Sequence, residues 1–184
     1  MYQTKMYGLG GQGVVTASEI LVHAAVIHEH KYARSLPAYG HERRGAPVFA
    51  DVMIDDSPIL LSSFVYEPDY VLLFDPAVVD MGVDIQKGAG GHTTLLVNTG
   101  DPLAITHLVQ GVPWKAVYHV DATRIAHEIS GSQIPNAAML GAFARTGIVS
   151  VESVCYSLQE ILGSERSEAN VRAAREAYDQ VERL

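Results

Sequence analysis

Cysteine is nearly absent from this chain of 184 residues, where Cys155 stands alone. One thiol excludes an intrachain disulfide framework, and no CxxC spacing exists to hold zinc or an iron–sulfur cluster. Its neighbours Val154 and Tyr156, in an apolar-periodic stretch, point to a buried and inert thiol, not a nucleophile. Positive charge is also scarce: 13 Lys and Arg face 21 Asp and Glu, for a net charge of −8. Apart from the adjacent Arg43 and Arg44 the basic residues are thinly spread, which argues against a nucleic-acid binder. No window approaches about 18 uninterrupted apolar residues, and the opening MYQTKMYGLGGQG has neither a charged n-region nor an apolar run. The expectation is a soluble, cytoplasmic chain with no membrane or nucleic-acid partner.

Familiar catalytic and metal signatures are missing too. Of the 8 histidines, His23, His28 and His30 fall in or near one expected helix, yet no two are three or four residues apart. His92, His107, His119 and His127 are isolated, and HExxH does not occur. On that spacing no metal site is expected. There is no GxSxG, and Cys155 has no evident activating partner. What remains is an ordinary globular composition, 48% hydrophobic and 18% charged. The expectation is one domain over 1–184, large enough to bury roughly 70% of its extended-chain surface without staples.

The hydrophobic pattern describes an α/β fold. Tyr2 to Tyr7 reads as a first strand running into glycines, and Val14 to His30 as a helix. Leu36 to Pro47 reads as a loop, and Pro47 to Ile54 as a strand. Ile59 to Phe64 is expected to pair with that strand through the Asp55-Asp56-Ser57-Pro58 turn. Three short apolar runs follow, Val71 to Phe74, Thr94 to Val97 and Val117 to Val120, as suits strands covered on both faces. They end in Asp75, Asn98 and Asp121. These either mark the edge where open α/β sheets place ligands or simply start turns and cap helices. The last third reads as helices: Ala122 to Ile129, Asn136 to Arg145, Ser150 to Leu162, and one from Ser167 to the end. The final helix is amphipathic and packs either on its own sheet or on a partner. The fold class is therefore α/β, with a largely parallel, Rossmann-like sheet, an added hairpin and a helical C-terminal region.

Two segments carry chemistry. Gly8-Leu9-Gly10-Gly11-Gln12-Gly13 lies between the first strand and helix, where glycines permit a sharp turn and close ligand approach. The free N–H groups and the dipole of the following helix suit a phosphate or pyrophosphate. Gly8, Gly10 and Gly13 match GxGxxG, but a dinucleotide site also wants an acid about 20 residues further on. Glu29 is near that distance but ends a helix, not a second strand. The second segment, Pro37-Ala38-Tyr39-Gly40-His41-Glu42-Arg43-Arg44-Gly45-Ala46-Pro47, sets two arginines in a Gly- and Pro-rich loop. The pair either holds a phosphate or carboxylate or forms a surface ion pair with Glu42.

Together these segments resemble the gamma subunits of pyruvate:ferredoxin oxidoreductase and its 2-oxoacid relatives. The likeness starts with Gly8 to Ala17 and Pro37 to Pro47. It continues through Leu95-Leu96-Val97-Asn98-Thr99, Val120-Asp121-Ala122-Thr123, Ile134-Pro135-Asn136, Met139 to Ala142 and Gly147-Ile148-Val149, in order along nearly the whole chain. The resemblance implies one subunit, inactive alone, of an oxygen-sensitive enzyme. That enzyme decarboxylates a 2-oxoacid such as pyruvate or an aryl-glyoxylate on thiamine diphosphate, passes electrons through iron–sulfur clusters and usually forms an acyl-coenzyme A. Thiamine diphosphate, magnesium and the 4Fe–4S clusters would sit on alpha, beta and delta type partners, consistent with the missing GDG…N motif here. Ferredoxin or an NAD-reducing flavin subunit would take the electrons. By the same implication Gly8, Gly10, Gly11, Gln12 and Gly13 would contact a cofactor, and Tyr39, Glu42, Arg43, Arg44 and Asn136 the substrate or coenzyme A. The chain would hold no cofactor by itself. The rival readings are a free-standing NAD- or FAD-dependent oxidoreductase and a purely structural scaffold subunit.

Overall fold

A computed structural model describes residues 1–38, 45–60 and 62–184, the side chains of 164–166 excepted. The chain opens with β1 (Tyr2–Leu9) and α1 (Val14–His23), which continues as a π turn (Ala24–His28). β2 (Tyr32–Ala38) and β3 (Pro47–Asp55) follow, then β4 (Tyr70–Leu73), a short α2 (Ala77–Asp80), β5 (Thr94–Asn98) and β6 (Ala116–Val120). The remainder is α3 (Ala122–Ser130), α4 (Asn136–Ala144), α5 (Val151–Leu162), α6 (Ser164–Gln180) and a two-residue β7 (Glu182–Arg183).

Among the described residues the strands form one sheet in the order β2-β3-β1-β4-β5-β6-β7. β1, β4, β5 and β6 run parallel, in the register Lys5–Val71, Val71–Leu95 and Leu95–Val117. Alternation along them feeds two cores, as expected of strands buried on both faces. Leu72, Phe74 and Leu96 join Met6 under α1 and α4, whereas Val71, Leu73, Leu95 and Val97 join Tyr7, Val78, Ile85 and Ile105 on the other face. Among the described residues the second face is covered by α2, a short 3-10 turn (Pro102–Ile105) and loops.

The antiparallel addition differs from its expected construction. β3 pairs with β1 on one side and with β2 on the other, so the strand beside it comes from Tyr32–Ala38. Ile59, Leu60 and residues 62–64 are not strand. Leu36, Pro37 and Ala38, expected in a loop, belong to β2. Pro37 is tolerated there because β2 is the sheet edge, where a missing donor leaves no central ladder bond unmade.

α4 is buried along its whole length, from Asn136 to Ala144. Its small side chains (NAAMLGAFA) let neighbours approach from all round. α6 starts at Ser164, earlier than expected, directly after Gly163. It packs against α4, α5 and α3, burying Ala173, Ala174 and Ala177. The tail therefore packs on this chain's own helices, with β7 adding a short edge to β6. No described helix is long and apolar enough to cross a membrane.

Candidate functional site

The glycine loop sits at the carboxyl end of β1, the edge at which open α/β sheets place ligands. Gly8 brings strand and helix together: a Cβ there would lie 2.7 Å from Val14 Cγ2 and 2.9 Å from Phe74 Cβ. Gly13 precedes α1 with φ 75° and ψ 28°, a left-handed conformation that other residues adopt at a cost. A Cβ at Gly13 would meet Asn136 Nδ2 at 2.5 Å. Asn136 is 7% exposed, and its Oδ1 accepts the Ala137 N–H at 2.8 Å. The fold thus presses two candidate residues from distant parts of the sequence against each other.

Part of the loop's donor capacity is used internally. The Gly10 N–H donates to Ala46 O at 2.8 Å, and the Gln12 N–H to Leu9 O at 3.1 Å. Gln12 is a brace: its Oε1 accepts the Leu9 N–H at 2.8 Å, and its Nε2 donates to Asp75 Oδ2 at 2.7 Å. An anion at the start of α1 would accordingly be met by Gly11, Gly13 and the first helical turn, not by the Gly10 and Gln12 amides.

The second segment is pinned to the first. Beyond the Gly10–Ala46 bond, the Gly45 N–H donates to Gly10 O at 3.1 Å. Tyr39, Glu42, Arg43 and Arg44 lie outside the described residues, between Ala38 at the end of β2 and this anchored Gly45. Ala38 also lines a cleft of about 360 Å³ with Tyr7, Leu36, Phe49, Phe64 and the partly buried pair Lys5–Asp51. Lys5 Nζ lies 3.1 Å from Asp51 Oδ1 and donates to Val65 O at 2.9 Å, while Asp51 Oδ2 accepts the Val65 N–H at 2.7 Å. Asp51 is 3% exposed and fully partnered, the condition for a buried ion pair to persist. Burial, reinforced by Asp51 and Asp84, pushes the Tyr7 phenol far above its ordinary value, so it stays neutral. Sequence reasoning missed this cleft. Its one signal was a lone Asp inside an alternating strand, and its meaning depends on the Lys5–Asp51 register.

The polar residues ending the parallel strands are structural. Asp75 Oδ1 accepts the Ala77 N–H at 3.0 Å, and Asp121 Oδ1 caps α3 by accepting the Arg124 N–H at 3.0 Å. Asn98 ties β5 to its neighbours: its Nδ2 donates at 2.8 Å to both Phe74 O and Thr123 Oγ1.

The dinucleotide reading loses its acid. Glu29 Oε1 accepts the Ser150 N–H at 2.7 Å and the Ser153 hydroxyl at 2.6 Å, so it caps α5 at a distance from the glycine loop. Burial pushes this carboxyl up, but those hydrogen bonds and Lys31 outweigh it and hold the group below its ordinary value. The strands flanking β1 are antiparallel β3 and parallel β4, not the second strand that carries the ribose-binding acid in a dinucleotide fold. Cys155 is 3% exposed, and burial raises its thiol pKa, as befits an inert thiol.

Against known proteins, the family model described as Pyruvate ferredoxin/flavodoxin oxidoreductase matches residues 3–180. The pyruvate/ketoisovalerate oxidoreductases common subunit gamma of Pyrococcus furiosus is 42% identical over 184 residues, covering 99% of this chain and 98% of that one. Pyruvate synthase subunit PorC of Methanothermobacter thermautotrophicus is 43% identical over 186 residues, covering 100% and 98%. The crystal structure of pyruvate oxidoreductase subunit PORC from Thermotoga maritima superposes with a TM-score of 0.85 at 33% identity, covering 99% of this chain and 97% of that one.

Proposed function

The chain belongs to the pyruvate ferredoxin/flavodoxin oxidoreductase family, and from that premise we propose that it is the gamma-type subunit of a 2-oxoacid:acceptor oxidoreductase. In this reading it forms one wall of the active site and of the coenzyme A entry, and is inactive alone. Thiamine diphosphate, when bound in the complex, supplies the electron sink for decarboxylation. It is held with its magnesium by alpha- and beta-type partners, and a delta-type partner completes the set. The clusters also belong to partners: a 4Fe–4S cluster takes four thiolates, and this chain has one cysteine, which is buried. Electrons leave to ferredoxin or to an NAD-reducing flavin subunit.

The chain's own work is binding. The Gly11 and Gly13 amides and the first turn of α1 face an anionic group, while Arg43 or Arg44 neutralises a phosphate of coenzyme A or the carboxylate of the 2-oxoacid. The observation that supports this most is the pair of hydrogen bonds joining Gly10 to Gly45 and Ala46, which holds the exit of the arginine segment beside the glycine loop. Substrate choice lies with the partners: the Pyrococcus furiosus relative is named as a subunit common to pyruvate and ketoisovalerate enzymes.

The test is Arg43→Ala with Arg44→Ala in the assembled enzyme. Loss of one charge-assisted hydrogen bond, about 1.5–3 kcal/mol, raises the KM for coenzyme A or for the 2-oxoacid by roughly 10- to 150-fold. Unchanged kinetics with normal assembly would remove the arginines from the site. A defect confined to assembly would favour a scaffold.

A further inference from the structure

On an α-helix, residues five apart point in different directions, which is why histidine spacing alone disclosed no metal site. The chain leaves α-helical geometry after His23. The Glu29 N–H donates to Ala24 O at 3.1 Å, the five-residue bond of a π turn, and such a turn stacks residues five apart on one face. His23 and His28 consequently come together, their ring centroids 5.7 Å apart. Both reach the same carboxylate oxygen on α5: Glu160 Oε2 lies 3.4 Å from His23 Nε2 and 3.5 Å from His28 Nε2.

The surroundings orient these ligand atoms. His23 Nδ1 lies 3.0 Å from the hydroxyl of Ser157, a fully buried residue one turn before Glu160. With Nδ1–H donating there, Nε2 carries its lone pair toward Glu160, the arrangement that holds a metal-binding imidazole. The His28 ring packs on Tyr156, centroids 5.4 Å apart. Its Nε2 is buried yet makes no hydrogen bond among the described residues, although Glu160 Oε2 stands 3.5 Å away. A buried ring nitrogen without a partner is costly to leave empty-handed.

We propose that His23, His28 and Glu160 form a binding site for a zinc-like divalent cation that staples α5 to the π-turned end of α1. The three ligand atoms lie within 4.8 Å of one another. A tetrahedral zinc ion with its usual bond lengths has ligand–ligand edges of roughly 3.3–3.5 Å, which matches both nitrogen–oxygen separations. Two imidazoles and a carboxylate are a donor set this ion prefers, and Glu160, half exposed, leaves the fourth position to water.

The test titrates zinc(II) alone into the chelator-treated full chain, followed by calorimetry and thermal unfolding, with cobalt(II) as the optical probe. The expected result is one ion per chain, a melting temperature that rises with zinc(II), and a tetrahedral cobalt(II) spectrum. Glu160→Gln and His28→Gln should each weaken binding by at least about tenfold, Ser157→Ala by roughly tenfold through the ring it orients, and the remote His92→Gln not at all. Glu160→Gln lies on the surface, so its fold is safe to compare. Absence of stoichiometric binding by the unaltered chain overturns the proposal and leaves two close histidine–glutamate contacts. Binding that survives Glu160→Gln and His28→Gln unchanged also overturns it.

Discussion

Gly13→Ala is expected to destabilise the chain by about 2–5 kcal/mol, in two parts of different origin. The first is backbone strain: φ is 75° at this position, and an alanine held there costs about 1–2 kcal/mol. The second is steric. The new methyl would lie 2.5 Å from Asn136 Nδ2 and 3.0 Å from its Cγ, where ordinary contact begins near 3.4 Å. Overpacking of this kind costs about 1–3 kcal/mol. Asn136→Ala takes away Nδ2 and Cγ, leaving only the Cβ at 3.1 Å. In that background Gly13→Ala should cost about 1–2 kcal/mol less, while its strain component stays. Guanidinium unfolding of the four proteins, followed by circular dichroism, gives the coupling, provided the denaturant slopes agree. An equal cost in both backgrounds would mean that Asn136 does not press on the glycine loop, and the link between these two candidate positions would fail.

Gly141→Ala probes the tail. A methyl there would drive into the Ala174 carbonyl, overpacking at the upper end of about 1–3 kcal/mol, so the variant should lose up to about 2 kcal/mol net of the roughly 1 kcal/mol that alanine gains as a helix former. Stabilisation would show that α6 does not pack on α4 as described. Glu29 supplies a pH prediction. Its folded pKa is lowered, so its stabilisation is present above the ordinary value of 4.5 and fades as pH falls through the folded value. The stability difference between the unaltered chain and Glu29→Gln, about 1 kcal/mol near neutral pH, should shrink toward zero in acid. A difference independent of pH would contradict the assigned cap.

Local signals carried much of the fold because their physics is local. Ser150 accepts the Ser153 N–H at 3.1 Å as the cap it promised to be, and the short apolar runs became β4, β5 and β6. The glycine loop was legible because a sharp turn with φ above zero calls for glycine. Pairing was not legible. Ile59 to Phe64 has a strand-like composition beside a turn sequence, yet β3 takes β2 as its neighbour, and nothing local distinguishes the two partners. The Gln12–Asp75 hydrogen bond and the approach of Asn136 to Gly13 likewise depend on segments that only the sheet order brings together. The π turn escaped for a different reason. Its change of period is a backbone event with no composition of its own, and histidines judged by α-helical spacing were kept apart on paper.

The most direct test of the subunit assignment is anoxic affinity purification of the tagged chain from its native host, with native mass spectrometry of what accompanies it. The account predicts larger partners carrying thiamine diphosphate and iron–sulfur clusters, and a complex that oxidises a 2-oxoacid. A chain recovered alone, free of such partners and binding NAD or FAD, would contradict it.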